Sequence, residues 1–143
     1  MKVMLKRVYD AADASDGFRV LVDRLWPRGL TKQAARADAW LPDIAPSHEL
    51  RRWYHARPSQ WPEFRNRYIR ELSGTEAMSA LSQLHEMVRD QAKVTLLFAS
   101  RNPEHNNASV LKQLLEGARK PPSSSGPARA VAGRDRASAR ARK

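Results

Sequence analysis

Lys93-Val94-Thr95-Leu96-Leu97-Phe98-Ala99-Ser100-Arg101-Asn102-Pro103-Glu104-His105-Asn106-Asn107 is the stretch on which the fold turns. Val94, Leu96, Leu97 and Phe98 make a nearly unbroken apolar run. That pattern suits a strand covered on both faces, as strands of parallel sheets are. Asn102-Pro103 follows almost at once. Asn is a favoured helix cap and Pro a favoured first helical residue. The spacing therefore predicts a helix from Pro103 to about Gly117, with Ala108, Leu111 and Leu115 inward and Gly117 as its stop. A buried strand feeding a helix is the repeating unit of α/β proteins.

Upstream of this unit, Met1–Val8 reads as a strand through Val3, Met4, Leu5 and Val8, and Asp10–Gly17 reads as a loop. Phe18–Val22 is a second, nearly all-apolar strand, ended by Trp26-Pro27-Arg28-Gly29. Thr31 caps a short helix over Lys32–Ala37, and Ser47 caps one carrying Leu50, Trp53 and Tyr54. Trp61, Phe64, Tyr68 and Leu72 recur at helical spacing and form the inner stripe of a further helix. Its opposite side holds Glu63, Arg65, Arg67, Arg70 and Glu71, a solvated face with i, i+4 pairs. Gly74 breaks that helix, and Thr75 caps the next, with Met78, Leu81, Leu84 and Val88 inward. Three strands are visible; a fourth belongs within Met1–Gly17 or in a segment read here as helical. The expected fold is α/β: a small single domain with a mostly parallel sheet flanked by helices.

Composition narrows the function classes. The chain of 143 residues has no cysteine, so thiol nucleophiles, Cys-zinc sites and disulfides are excluded. His48, His55, His85 and His105 form no metal-binding helix pair, and no metal or cofactor is expected. Mean hydropathy is −0.67, and no apolar run approaches the ~20 residues of a membrane span. The short basic N-terminus lacks a signal-peptide core, so a cytoplasmic protein without membrane contact is expected. Lys and Arg number 26 against 15 acids, for a net charge of +11. Most of that charge falls in residues 119–143, where eight basic residues face Asp135 alone. This stretch has no Leu, Ile or aromatic residue and reads as a disordered basic tail. It is either a nucleic-acid tether or a solvated extension.

In a parallel sheet, ligands bind beyond the carboxyl ends of the strands. Two strand ends carry chemistry here: Asp23, Arg24 and Arg28 after the second, and Arg101, Asn102, His105 and Asn106 after the last. If the strands are parallel, both sets face one crevice. Arg24, Arg28 and Arg101, with Asn102 and Asn106, suit an anionic ligand. Asp23 is the candidate general base and His105 its acid–base partner. Each residue also has a structural reading. Asp23 can pair with an arginine, Trp26 can anchor the core, Asn102 can be only a cap, and His105 can be solvated. Dinucleotide, P-loop and nucleophile-elbow motifs are absent.

Arg19-Val20-Leu21-Val22-Asp23-Arg24-Leu25-Trp26-Pro27-Arg28-Gly29 resembles the signature of the YeaO-like branch of domain-of-unknown-function family 488 (DUF488). Trp40-Leu41-Pro42, Ala45-Pro46-Ser47, Phe64-Arg65, Arg67-Tyr68 and Val94–Arg101 with His105-Asn106-Asn107-Ala108 agree in order. The resemblance covers roughly residues 1–115 and places the domain at 1–118, with 119–143 outside it. It implies a compact α/β domain of bacterial or archaeal type and brings no reaction. Looser relatives place a Cys-His-Arg group near the last strand; this chain has Glu104-His105-Asn106 there. Two readings follow. One is a pocket for an anionic, nucleotide-like ligand at the strand ends. The other is a non-catalytic nucleic-acid-binding or regulatory module acting through the tail.

Overall fold

The computed structural model describes residues 2–118. Four strands, β1 (Lys2–Arg7), β2 (Phe18–Leu21), β3 (Ala39–Trp40) and β4 (Lys93–Phe98), form one sheet in the order β1-β4-β2-β3. Every pairing is parallel. Five α-helices accompany them: α1 (Lys32–Ala35), α2 (His48–Ala56), α3 (Trp61–Glu71), α4 (Thr75–Asp90) and α5 (Asn107–Ala118). This is the expected small α/β domain. The reading of residues 119–143 as a tail lies outside the described residues.

The two faces of the sheet are closed by different means. Val3, Val20, Val94, Leu96 and Phe98 point to one face and join Leu50, Phe64, Tyr68, Leu84, Leu111 and Leu115 in the main core. Helices α2 to α5 supply that layer. The alternate strand residues Leu21 and Leu97 point the other way, into a small cluster with Val8 and Ala35, flanked by Trp26 and Leu30. No long helix covers this second face among the described residues.

An ionic cluster covers much of the second face. The connection from β1 to β2 runs back along the sheet through residues 8–17 and crosses β4. Six strand residues span about 20 Å, within the ~33 Å reach of ten extended residues. A parallel crossover without a helix is thus feasible, though uncommon. Asp16 lies at the crossing, and its carboxylate accepts from Lys6 Nζ at 3.0 Å, from Arg19 Nη1 and from the Asp13 N–H at 3.0 Å. Its carbonyl accepts from Thr95 Oγ1 at 2.6 Å. Arg19 Nε and Nη2 also donate to the Arg36 and Ala35 carbonyls, at 3.0 and 2.8 Å. Burial raises the Asp16 pKa, but the bonds from Asp13, Lys6 and Arg19 outweigh it and hold this carboxyl below its ordinary range.

Several local expectations are corrected. The fourth strand is Ala39–Trp40, in neither of the places anticipated. Two residues are too few to show alternation; the pairing is set by Asp38 N–H to Arg19 O (2.7 Å) and Leu41 N–H to Leu21 O (2.9 Å). Helix α1 stops at Ala35 because Arg36 turns left-handed, with φ 50°. Gly74, not Thr75, is the N-cap of α4, and Met78 is exposed while Ala80, Leu84 and Val88 face inward. Helix α5 begins at Asn107 rather than Pro103. Asn106 and Ser109 exchange side-chain–backbone bonds, Ser109 N–H to Asn106 Oδ1 at 2.9 Å and Asn106 N–H to Ser109 Oγ at 3.2 Å, and cap the helix there. Asn102 caps only a turn, accepting from the Glu104 and His105 N–H groups.

The crossing over β4 makes one glycine indispensable. Gly17 has φ +67°, and an added Cβ would sit 2.5 Å from the Lys93 carbonyl oxygen. Gly29 also has positive φ, +82°, but nothing lies within 4 Å of its would-be Cβ. Gly17→Ala should therefore cost about 2 kcal/mol or more, and Gly29→Ala about 1 kcal/mol. Urea denaturation of the two variants checks the order; equal losses would mean that the crossing is not tightly packed.

Candidate functional site

Strands β2 and β4 are adjacent, so their carboxyl ends open side by side. The ladder between them continues one step past β2, with Val22 N–H donating to the Leu97 carbonyl at 3.1 Å. There the Asp23 side chain takes over. One of its oxygens accepts from the Ala99 N–H at 2.9 Å and the other from Asn107 Nδ2 at 3.1 Å. Asn107 also donates to the Val22 carbonyl at 2.8 Å. A single carboxylate thus joins the ends of two strands and the first residue of α5. Burial pushes the Asp23 carboxyl above its ordinary pKa, against the downward pull of Ala99, Asn107 and the Arg51 charge.

Beyond this junction lies a cavity of about 540 Å³. Asp23, Arg24, Arg101, Asn102, His105 and Asn106 all line it. The structure thus brings together six of the seven residues singled out from the sequence. Arg28 is not among the lining residues. Trp26 packs with Leu30 in the second-face cluster, its Nε1 donating to the Leu30 carbonyl at 2.6 Å. That packing carries residues 27–30 away from the cavity, and the Arg28 carbonyl accepts from the Tyr9 hydroxyl instead.

The opposite wall comes from α2 and its flanks. Arg24 donates to the Ala45 and Pro46 carbonyls, at 2.8 and 3.3 Å. Glu71 accepts from Ser47 N–H and Oγ, at 2.8 and 2.6 Å. Ser47 in turn caps α2 through the Leu50 N–H. With its start fixed in this way, α2 presents Arg51, Tyr54 and His55 to the cavity, beside Pro58 and Phe64. None of these was singled out from the sequence as a site residue. The available signal was the i, i+3, i+4 spacing of Arg51, Tyr54 and His55, which puts all three on one helix face.

The loop from β4 to α5 is held by its own side chains. Arg7 donates to the Ser100 and Ala99 carbonyls. Asn106, only 3% exposed, donates to the Asn102 carbonyl at 2.8 Å while accepting from Ser109. His105 precedes α5 and lies flat on Trp61, with ring centroids 4.5 Å apart and planes 8° apart.

Arginines outnumber acids in this cavity, Arg24, Arg51 and Arg101 against Asp23. Among the described residues, Arg51 and Arg101 make no ion pair or side-chain hydrogen bond, and both are exposed. The Asp23 oxygens and the Asn106 amide are engaged within the protein. A ligand rich in acceptors, an oxyanion above all, is what such a lining fits. Among the described residues no His, Asp and Glu cluster is suited to a metal, and no helix is long and apolar enough to cross a membrane.

The family model described as "Inactive DUF488-N3 subclade" matches residues 2–130. The uncharacterized protein Rv3073c of Mycobacterium tuberculosis is 43% identical over 116 residues, covering 81% of this chain and 95% of its own. The uncharacterized protein YeaO of Escherichia coli is 41% identical over 115 residues, covering 80% and 97%. No solved structure gives a significant match.

The Asp23 junction can be tested without a ligand. Asp23→Asn sets an amide NH₂ against one of two donors and should cost about 1–3 kcal/mol at neutral pH. In the parent protein, a folded pKa above the unfolded one means stability is fullest below the unfolded value and declines as pH rises through the folded value. Carboxyl NMR titration should therefore place the Asp23 midpoint above the ordinary aspartate range. A midpoint at or below that range would contradict the burial argument.

Proposed function

Since the chain belongs to the DUF488 family, we propose that its cavity binds a small anionic, nucleotide-like ligand and holds it without reaction. The observation that carries this reading is the arginine set at the strand ends. Arg51 and Arg101 have no protein acceptor among the described residues, and Arg24 is fixed beside them by the Ala45 and Pro46 carbonyls. Guanidinium groups so placed match phosphate or carboxylate oxygens in pairs.

Two considerations favour binding over catalysis. A general base directs a proton-accepting oxygen at its substrate. Each Asp23 oxygen instead accepts from a protein donor, Ala99 N–H or Asn107 Nδ2, in a bond that holds the strand ends together. In addition, the subclade that the chain matches is described as inactive. Asp23 is thus a positioning residue in this reading. Arg24, Arg51 and Arg101 hold the anion, with Asn102 beside them. His105 and Asn106 shape the wall, and no part is given to Arg28.

Thermal shift of the full chain against inorganic phosphate, sugar phosphates, nucleotides and their neutral counterparts tests the proposal. Ligands of the native state raise its stability with ln(1 + [L]/Kd). Only the anionic members should raise the melting temperature, and Arg51→Ala with Arg101→Ala should weaken the best of them at least about tenfold. The bound compound should be recovered unchanged by chromatography. Equal response to neutral counterparts would remove the arginines from the binding role, and recovery of a product would replace binding with catalysis.

A further inference from the structure

The cavity has a second chemical character besides its positive charge. Tyr54 and Phe64 line it and stack on each other, with centroids 4.5 Å apart and planes at 26°. Phe64 stacks in turn on Trp61, at 5.6 Å and 28°, and Trp61 on His105, at 4.5 Å and 8°. The rings thus form one row from α2 through α3 to the loop before α5. Trp61 supports His105 from outside the lining, so one imidazole face is closed. The other face and the ring edge are what His105 offers to the cavity.

We infer that the ligand joins a planar heterocycle to its oxyanion, and that His105 is the platform on which that heterocycle stacks. The inference rests on the anionic, nucleotide-like reading above and adds the residue that receives the ligand's ring. Three observations converge on it. A phosphate alone would leave most of a 540 Å³ cavity unfilled. The aromatic row borders the same space as Arg51 and Arg101, so one molecule can meet both. The His105 ring is also held by Trp61 stacked beneath it, on a backbone fixed by the His105 N–H bond to Asn102 Oδ1 at 2.9 Å. A ring fixed in this way loses little freedom when a second ring settles on it, whereas a mobile side chain would have to be ordered. The role is one of specificity: the arginines accept many anions, and the platform selects those that carry a flat ring.

Isothermal titration of the full chain with inorganic phosphate, ribose 5-phosphate, a nucleoside and the matching nucleoside 5′-monophosphate separates the two halves. The monophosphate should bind about tenfold or more tighter than ribose 5-phosphate, the scale of one base–aromatic stack. That advantage should vanish in His105→Ala and return in His105→Phe, which keeps a flat ring but no titratable nitrogen. Thermal denaturation confirms that both variants fold. Equal affinities for ribose 5-phosphate and the monophosphate would overturn the stacking platform while leaving the anion site intact. An advantage that survives His105→Ala would overturn His105 in particular. Failure of every phosphate compound would instead sink the anion-binding reading beneath it.

Discussion

The Asp23 carboxylate is the constraint on which the rest depends. Parallel strands leave backbone groups unpaired at their carboxyl ends, and buried unpaired groups are costly. Asp23 meets this problem with one side chain, accepting from the Ala99 N–H and from Asn107. The place where β2 ends, the place where β4 ends and the start of α5 are thereby fixed relative to one another. The cavity exists because these three ends diverge from a common point. Arg24 and Arg101 follow from those strand ends, while α2 and α3 bring Arg51 and the rings from the opposite side.

The same economy appears on the second face of the sheet. All-parallel sheets are ordinarily covered by helices on both sides. Here one side has four helices, and the other has a crossing strand connection, a four-residue helix and a buried ionic cluster. Buried ion pairs add little net stability unless every donor and acceptor is satisfied. The Lys6–Asp16–Arg19 cluster comes close to that condition, because Arg19 also reaches two backbone carbonyls and the Asp16 carbonyl receives the Thr95 hydroxyl. The cluster therefore acts as a spacer that keeps the connection in register over β4, where a helix would otherwise do so.

Most of the architecture could be read from residues whose pattern spans several turns or strand steps. The apolar runs at Phe18–Val22 and Lys93–Ala99 and the aromatic stripe of α3 carry enough repeats to declare their period. Ala39–Trp40 carries none, and its strand character comes wholly from neighbours distant in sequence. The start of α5 is less legible because Asn102-Pro103 and Asn106 offer competing caps; the exchange between Asn106 and Ser109 decides between them, and it follows no single-residue preference. Of the cavity lining, Asp23, Arg24 and Arg101 are legible at the strand ends. Arg51, Tyr54 and His55 are not, because their place opposite the strand ends is set by Glu71 and Arg24 gripping the segment before α2. Arg28 stands apart for the reverse reason: it is near Asp23 in sequence, but Trp26 packs its loop toward the other face.

The strand order has a consequence for how the chain comes to its fold. β1 and β2 are not neighbours; each pairs with β4, which is the last in sequence of the described strands and lies between them. During synthesis the first 92 residues therefore hold three strands and four helices with the central strand of the sheet missing. Contacts of such long sequence separation form late and slow folding. A nascent or truncated chain ending before Lys93 exposes two strand edges that only β4 can pair, the kind of surface on which holding chaperones act. The β4–α5 unit is thus the closing piece of the domain, and the cavity at its junction comes into being in the same step that completes the sheet.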